Sequence, residues 1–307
     1  MSTEGGTTAI FAALAANVGI AVTKFVAFLL TRSSSMLAES IHSLADSGNQ
    51  VLLLLGGKRA QRHATAEHPF GYGRERYVYA FIVSIVLFSL GGCFALYEAY
   101  HKWHDPHGID SWQWVPIAVL VASIGLESFS FRTAIRESRP HKGGRSWVSF
   151  VRTAKAPELP IVLLEDLGAL MGLVFALAGV GLTLATGNGR WDAAGTAMIG
   201  LLLVTIAGVL ATEMKSLLLG ESANREAVVA IERALVGDGV DRVIHLKTLH
   251  LGPEELLVAA KIGVPAGESA REVARAIDAA EQRVRAAVPI ARLIYLEPDI
   301  YDAARLG

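Results

Sequence analysis

The sequence predicts a six-helix transmembrane domain, all α, followed by a small α+β domain outside the bilayer. Three observations carry this. Hydrophobic residues make up 52% of the 307 positions and charged residues only 19%, against about 25% charged in an average soluble domain. Apolar stretches near the roughly 20 residues that a spanning helix needs recur six times before residue 218. Beyond that point the apolar runs give way to amphipathic segments whose order reads α-β-β-α-β, the pattern of helices laid on one face of a sheet.

The six stretches cover approximately 8–30, 36–56, 77–101, 113–131, 158–186 and 193–217. The N-terminus has no basic n-region and no small-residue cleavage site, so it reads as the start of the first span. The second and fifth stretches read as the least apolar. The third, fourth and sixth are mainly Val, Leu, Ile, Ala and Gly, and Gly172, Gly195, Gly200 and Gly208 suit close helix packing in lipid. Loop 57–76 carries Lys58, Arg59, Arg62, Arg74 and Arg76. Loop 132–157 carries Arg132, Arg136, Arg139, Lys142, Arg145, Arg152 and Lys155. The alternate loops hold little more than Arg32, Lys102 and Arg190. This asymmetry predicts that both basic loops and both termini face the cytoplasm. A bacterial inner membrane is the expected location.

The tail, 218–307, divides from the membrane domain, 1–217, where the hydropathy changes. Residues 223–238 and 269–288 have helical periodicity, the second with Ser269 as N-cap. Residues 240–252 and 254–264 read as strands around Gly252-Pro253, and 291–299 as a last strand. A tail of this size buries little surface alone, and pairing with a second copy would add to it.

The chemistry lies in polar groups within apolar runs. Glu39, His42, Asp46 and Asn49 follow steps of three, four and three, and so form one stripe on the second span. A charged side chain at the bilayer centre costs about 2.5–3.5 kcal/mol on insertion scales, so such groups pair, coordinate or line a water path. The fifth span repeats the anomaly with Glu165 and Asp166. Neighbours on a helix diverge by about 100°, so one faces the stripe and the other faces water, another helix or a proton path. Lys24 is the intramembrane candidate for an ion pair with these acids. Imidazole and carboxylates on two neighbouring helices suit zinc and other divalent first-row ions. Protons compete for the same atoms, so metal/proton exchange follows from the ligand types. The single cysteine, Cys93, excludes an intrachain disulfide and a thiolate site. A net charge of −1 gives no reason to expect nucleic acid.

Asn17 with Lys24, "TRSSSMLAESIHSLADSGNQ", "HPFGYGRERY", "LLEDLGALMG", "WDAAGTAMIGLLL" and "LLLGESA" before an α-β-β-α-β tail are together specific. The chain resembles the cation diffusion facilitators over nearly its whole length. Its "HPFGYG" and "LLED" segments are similar to the branch with mitochondrial zinc transporter-like members. The resemblance implies six spans, a cytoplasmic ferredoxin-like domain, a homodimer in lipid, and export of Zn2+ in exchange for protons, with Mn2+, Fe2+ or Co2+ as alternative cargo. It puts two ligands at His42 and Asp46, a third at Asp166, and a fourth at a position occupied here by Val162. Valine cannot ligate, so Glu165, then Glu39, or water is expected to complete the metal site. The family's cytoplasmic zinc positions fall on Ile244, Ala260, Tyr295 and Glu297, which predicts dimerisation without metal there. His245 and His250 are an odd number of residues apart and so should lie on opposite strand faces. His63 and His68 form either a weak metal site or a packed turn with Pro69 and Gly71.

Two other classes compete. His42 and Asp46 also match the HxxxD pattern of acyltransferases, whose histidine is a general base, but that chemistry has no use for the fifth-span acids. A metal sensor or scaffold would need ligands that the tail lacks.

Overall fold

The computed structural model describes residues 3–109 and 112–301. It divides into two compact units, Met1–Lys58 with Tyr77–Lys215, and Arg59–Arg76 with Ser216–Gly307.

Among the described residues the first unit is built on six helical rods of 27 to 30 residues. They are α1 (Thr3–Thr31), α2 (Ser34–Ala60), α3 (Glu75–Val86) continued through a π segment (Leu87–Cys93) into α4 (Phe94–His104), α5 (Trp114–Lys142), α7 (Glu158–Thr186) and α8 (Arg190–Leu219). A short α6 (Trp147–Thr153) follows α5. Four rods, 75–104, 114–142, 158–186 and 190–219, are long and apolar enough to cross a membrane. The fifth predicted stretch is therefore not among the least apolar. Its two acids sit near the start of α7 and leave a long apolar run after them. The weaker helix is α5, which carries Glu127. The expected basic loop 132–157 is mostly helical, because α5 runs on to Lys142 and α6 takes up Trp147–Thr153.

Close approaches depend on glycine. A Cβ at Gly92 would lie 2.6 Å from the Val204 side chain, and one at Gly195 would lie 2.8 Å from the Phe175 carbonyl. Gly200 packs on Leu96 in the same way, whereas Gly208 faces open space.

A buried polar knot fixes the turn between α1 and α2. Arg32 takes a left-handed conformation (φ 55°), and its carbonyl accepts a hydrogen bond from the Lys102 ammonium at 2.9 Å. Ser34 and Ser35 open α2 with free backbone N–H groups, and both donate to the Asp192 carboxylate of α8, at 2.8 and 3.3 Å. The Ser33 and Ser34 hydroxyls donate to it as well. A carboxylate at a helix N-terminus also meets the positive end of the helix dipole. The serine triplet is thus a helix start capped from another helix.

The second unit carries α9 (Arg225–Leu235), β1 (Arg242–Gly252), β2 (Glu255–Gly263), α10 (Ala270–Ala287) and β3 (Leu293–Asp299). The sheet order is β1-β2-β3, with β1 and β2 antiparallel and β2 and β3 parallel. Leu256, Val258, Ala260 and Ile262 alternate along β2 and are all buried against Ile231 and Leu235 of α9 and Ala276, Ala280 and Val284 of α10. Both helices therefore cover one sheet face. Ser269 caps α10 in a capping box, its hydroxyl accepting from the Glu272 N–H while its own N–H donates to Glu272 Oε2. Those bonds hold the Glu272 carboxyl below its ordinary range.

The 59–76 segment packs as a turn. Thr65 and His68 exchange backbone hydrogen bonds, the His68 ring lies 4.6 Å from Tyr72, and Gly73 approaches the β1–β2 turn so closely that a Cβ would lie 2.6 Å from the Leu251 carbonyl. His63 is exposed. His250 is buried, with Nδ1 3.2 Å from the Gly252 carbonyl. Ala260 belongs to the core, Tyr295 is exposed, and Glu297 pairs with Lys261 at 3.2 Å. Asp299 and Glu297 together hold the Lys261 ammonium above its ordinary range.

Candidate metal centre

Two antiparallel helices joined by a short turn bring residues at equal distance from the turn to equal depth. In α1 and α2 this produces a run of cross-links. Ser40 Oγ donates to the Ala21 carbonyl at 2.9 Å, and Asn17 donates to Gln50 at 3.3 Å. Lys24 Nζ donates to Glu39 Oε2 at 3.0 Å and to Ser43 Oγ at 2.8 Å. Lys24 is 1% exposed and Glu39 0%. Lys24 thus pairs with Glu39 and not with the acids of α7, because the hairpin sets those two side chains opposite each other.

Asp46, one turn past His42, opens into a cavity of about 70 Å³ that Glu165 and Asp166 of α7 also border. About 10–15 Å³ suffices for one water. Glu165 accepts from Asn49 Nδ2 of α2 at 2.7 Å, and Asp166 accepts from Ser130 Oγ of α5 at 2.9 Å. The adjacent acids thus address different helices, yet both reach the cavity, because it lies between α2 and α5. His42 is 1% exposed, and neither ring nitrogen has a hydrogen-bond partner. Its Nε2 stands 3.5 Å from Asp46 Oδ2, and Asp46 Oδ1 is also unpartnered. Burying polar atoms without partners is costly, of order 1–3 kcal/mol each, and a cation would satisfy Asp46 Oδ1 and one of the two ring nitrogens.

The sequence-derived residues therefore separate into two groups. Asp46, Glu165 and Asp166 share the cavity, with His42 beside Asp46. Glu39 lies apart from the cavity lining and is held by Lys24. Its other oxygen, Oε1, meets Gly172 of α7, where a Cβ would come within 2.8 Å. Among the described residues, no three His, Cys, Asp or Glu side chains stand close enough to hold an ion as they lie. Val162 borders the cavity and packs against the apolar cluster of Ala134, Phe150 and Leu163. The sequence reading missed Glu127 and Ser130, which line the same cavity from α5. The signal was present, since Glu127 is an acid within an apolar run.

The family described as the cation efflux transmembrane domain matches residues 10–219. The human mitochondrial proton-coupled zinc antiporter SLC30A9 is 32% identical over 232 residues, which are 75% of this chain and 41% of the relative. Metal tolerance protein C4 of Arabidopsis thaliana is 27% identical over 260 residues, 83% of this chain and 56% of the relative. Magnetosome protein MamM of Magnetospirillum gryphiswaldense is 27% identical over 134 residues, 41% of each. The chain spans less than half the length of the zinc antiporter it matches. Four apolar helices long enough to cross a bilayer, an acid-lined cavity among the helices and a family match over most of the helical region lead to one conclusion: this chain is an integral membrane protein of the cation efflux family, the cation diffusion facilitators.

Proposed function

We propose that the protein exports a divalent cation, Zn2+ first, and takes protons in exchange. The cavity bordered by Asp46, Glu165 and Asp166, with the unpartnered His42 next to it, carries this reading. In it, His42, Asp46 and Asp166 draw inward on the ion. Glu165 contributes ahead of Glu39, because Glu39 already neutralises Lys24. Protons returning to the imidazole and carboxylates replace the ion, so the site avoids uncompensated charge in either state. The helical rods make six spans, with both termini and the basic loops in the cytoplasm of a bacterial inner membrane. Residues 1–217 form the membrane domain. Residues 218–307 form a cytoplasmic ferredoxin-like domain that pairs two copies into a homodimer without metal. The zinc antiporter among the relatives supports the choice of cargo.

A second reading keeps the mechanism and changes the ion. One imidazole among several carboxylates is an oxygen-rich set, which suits Mn2+ or Fe2+, with Co2+ a further candidate. Uptake of Zn2+, Mn2+, Fe2+ and Co2+ into proteoliposomes of the pure protein tests both. Zinc uptake that disappears in an Asp46→Ala variant supports the first reading. Preference for manganese or iron favours the second, and no uptake of any of them refutes both.

A further inference from the structure

We propose that Glu127 of α5 is a cation ligand that takes the place of the one missing at Val162, so that three helices, α2, α5 and α7, enclose the ion. This rests on the reading of the cavity as the cation site.

Glu127 and Ser130 are three residues apart and share a face of α5. Ser130 donates to Asp166 at 2.9 Å, so that face is turned toward the acids of α7. Glu127 borders the same cavity as Asp46 and Asp166 and lies within Coulombic reach of Lys24 first, then of both acids and of His42, but Lys24 is hydrogen-bonded to Glu39 and Ser43.

Apart from Asp46, whose Oδ1 is also unpartnered, the neighbouring acids already have a donor. Glu39 is bound by Lys24, Glu165 by Asn49 and Asp166 by Ser130. Among the described residues no donor bonds the Glu127 carboxylate. An acid in an apolar helix, among other acids and without a donor, is costly unless a cation or proton joins it. His42, 99% buried and 3.5 Å from Asp46 with neither ring nitrogen hydrogen-bonded, is a second sign that a ligand belongs beside Asp46. Val162 is committed to the Ala134, Phe150 and Leu163 cluster and offers no donor atom. A carboxylate reaching in from α5 supplies an oxygen where α7 does not.

Binding of Zn2+ and Mn2+ to the full chain in detergent, measured by isothermal titration calorimetry, tests this. Glu127→Gln keeps the shape and removes the charge. It should weaken both ions at least as much as the roughly 10–100-fold typical of losing an outer-shell partner. Adding Val162→Asp to Glu127→Gln should recover most of that loss, a rescue that a packing role for Glu127 does not give. Glu127→Asp, which keeps the carboxylate, should bind more tightly than Glu127→Gln, and it serves as the measured variant if the glutamine form does not fold. If Asp46→Ala abolishes binding while Glu127→Gln stays within about twofold of wild type, the role of Glu127 is refuted and the cavity reading stands. If Glu127→Gln weakens binding and Val162→Asp restores nothing, the substitution for Val162 is refuted. If Asp46→Ala also binds like wild type, the cavity is not the cation site and both fall.

Discussion

Replacing Lys24 with methionine should destabilise the membrane domain, and replacing Glu39 as well should restore it. The two side chains are 1% and 0% exposed and meet at 3.0 Å. Glu39 Oε1 already lacks a partner, so without Lys24 the whole carboxylate is buried and uncompensated. Removing one member of a buried ion pair costs about 3–5 kcal/mol, whereas exchanging both for apolar groups of similar size is often neutral or better. Lys24→Met should therefore shift the folding equilibrium by roughly a hundredfold or more. Lys24→Met with Glu39→Met should return to within about 1 kcal/mol of wild type, a recovery of roughly 2–4 kcal/mol over the Lys24→Met single variant. Reversible SDS-driven unfolding in bicelles, followed by tryptophan fluorescence, measures this. The double variant should also keep its zinc affinity, because Glu39 acts in this account as the counter-ion of Lys24. Additive costs with no coupling would refute the pairing argument. A double variant that is stable but no longer binds zinc would return Glu39 to the ligand set.

Two further outcomes follow from the capping arrangements. Asp192→Ala strips two backbone and two hydroxyl donors at the start of α2 of their acceptor. Caps contribute about 0.5–2 kcal/mol and orphaned buried donors cost about 1–3 each, so the same unfolding assay should read a loss of about 3–5 kcal/mol, partly regained in Asp192→Asn. Ser269→Ala should loosen the first turn of α10 by about 1 kcal/mol, read as roughly fivefold faster amide exchange there. Glu272 has a lowered pKa in the folded chain, so its contribution is present above its ordinary value of 4.5 and is lost as pH falls through the folded value. The gap between wild type and variant should hold at neutral pH and narrow in acid.

The tail was the most legible part of the sequence. Strand-length apolar runs around Gly252-Pro253 and Ser269 at a helix start are local signals, and local signals suffice for a small sheet with two helices. The polar stripe was legible for the same reason, since helical spacing alone aligns Glu39, His42, Asp46 and Asn49. Their partners were not, because partners depend on which helix packs where. Lys24 could have served the acids of α7 as well as Glu39 on composition alone, and only the α1–α2 hairpin decides. Glu127 was overlooked because a single acid without a periodic companion resembles a helix-end residue until α5 is placed against Asp166. Asp192 read as part of a family segment, and its role at the start of α2 is a contact 158 residues away in sequence.

The most direct test of metal/proton exchange is zinc flux into proteoliposomes with an imposed pH gradient. Each pH unit is worth about 1.4 kcal/mol per proton exchanged, so an acid lumen should raise the steady-state zinc ratio roughly tenfold per unit for every proton in the cycle. His42→Ala should flatten that dependence by removing one titrating ligand, and Asp46→Asn should abolish both flux and dependence. An accumulation ratio that rises with luminal acidity and collapses when a protonophore is added is the predicted result. Zinc entry in the wild type that is indifferent to the gradient would contradict the exchange mechanism and leave a uniporter.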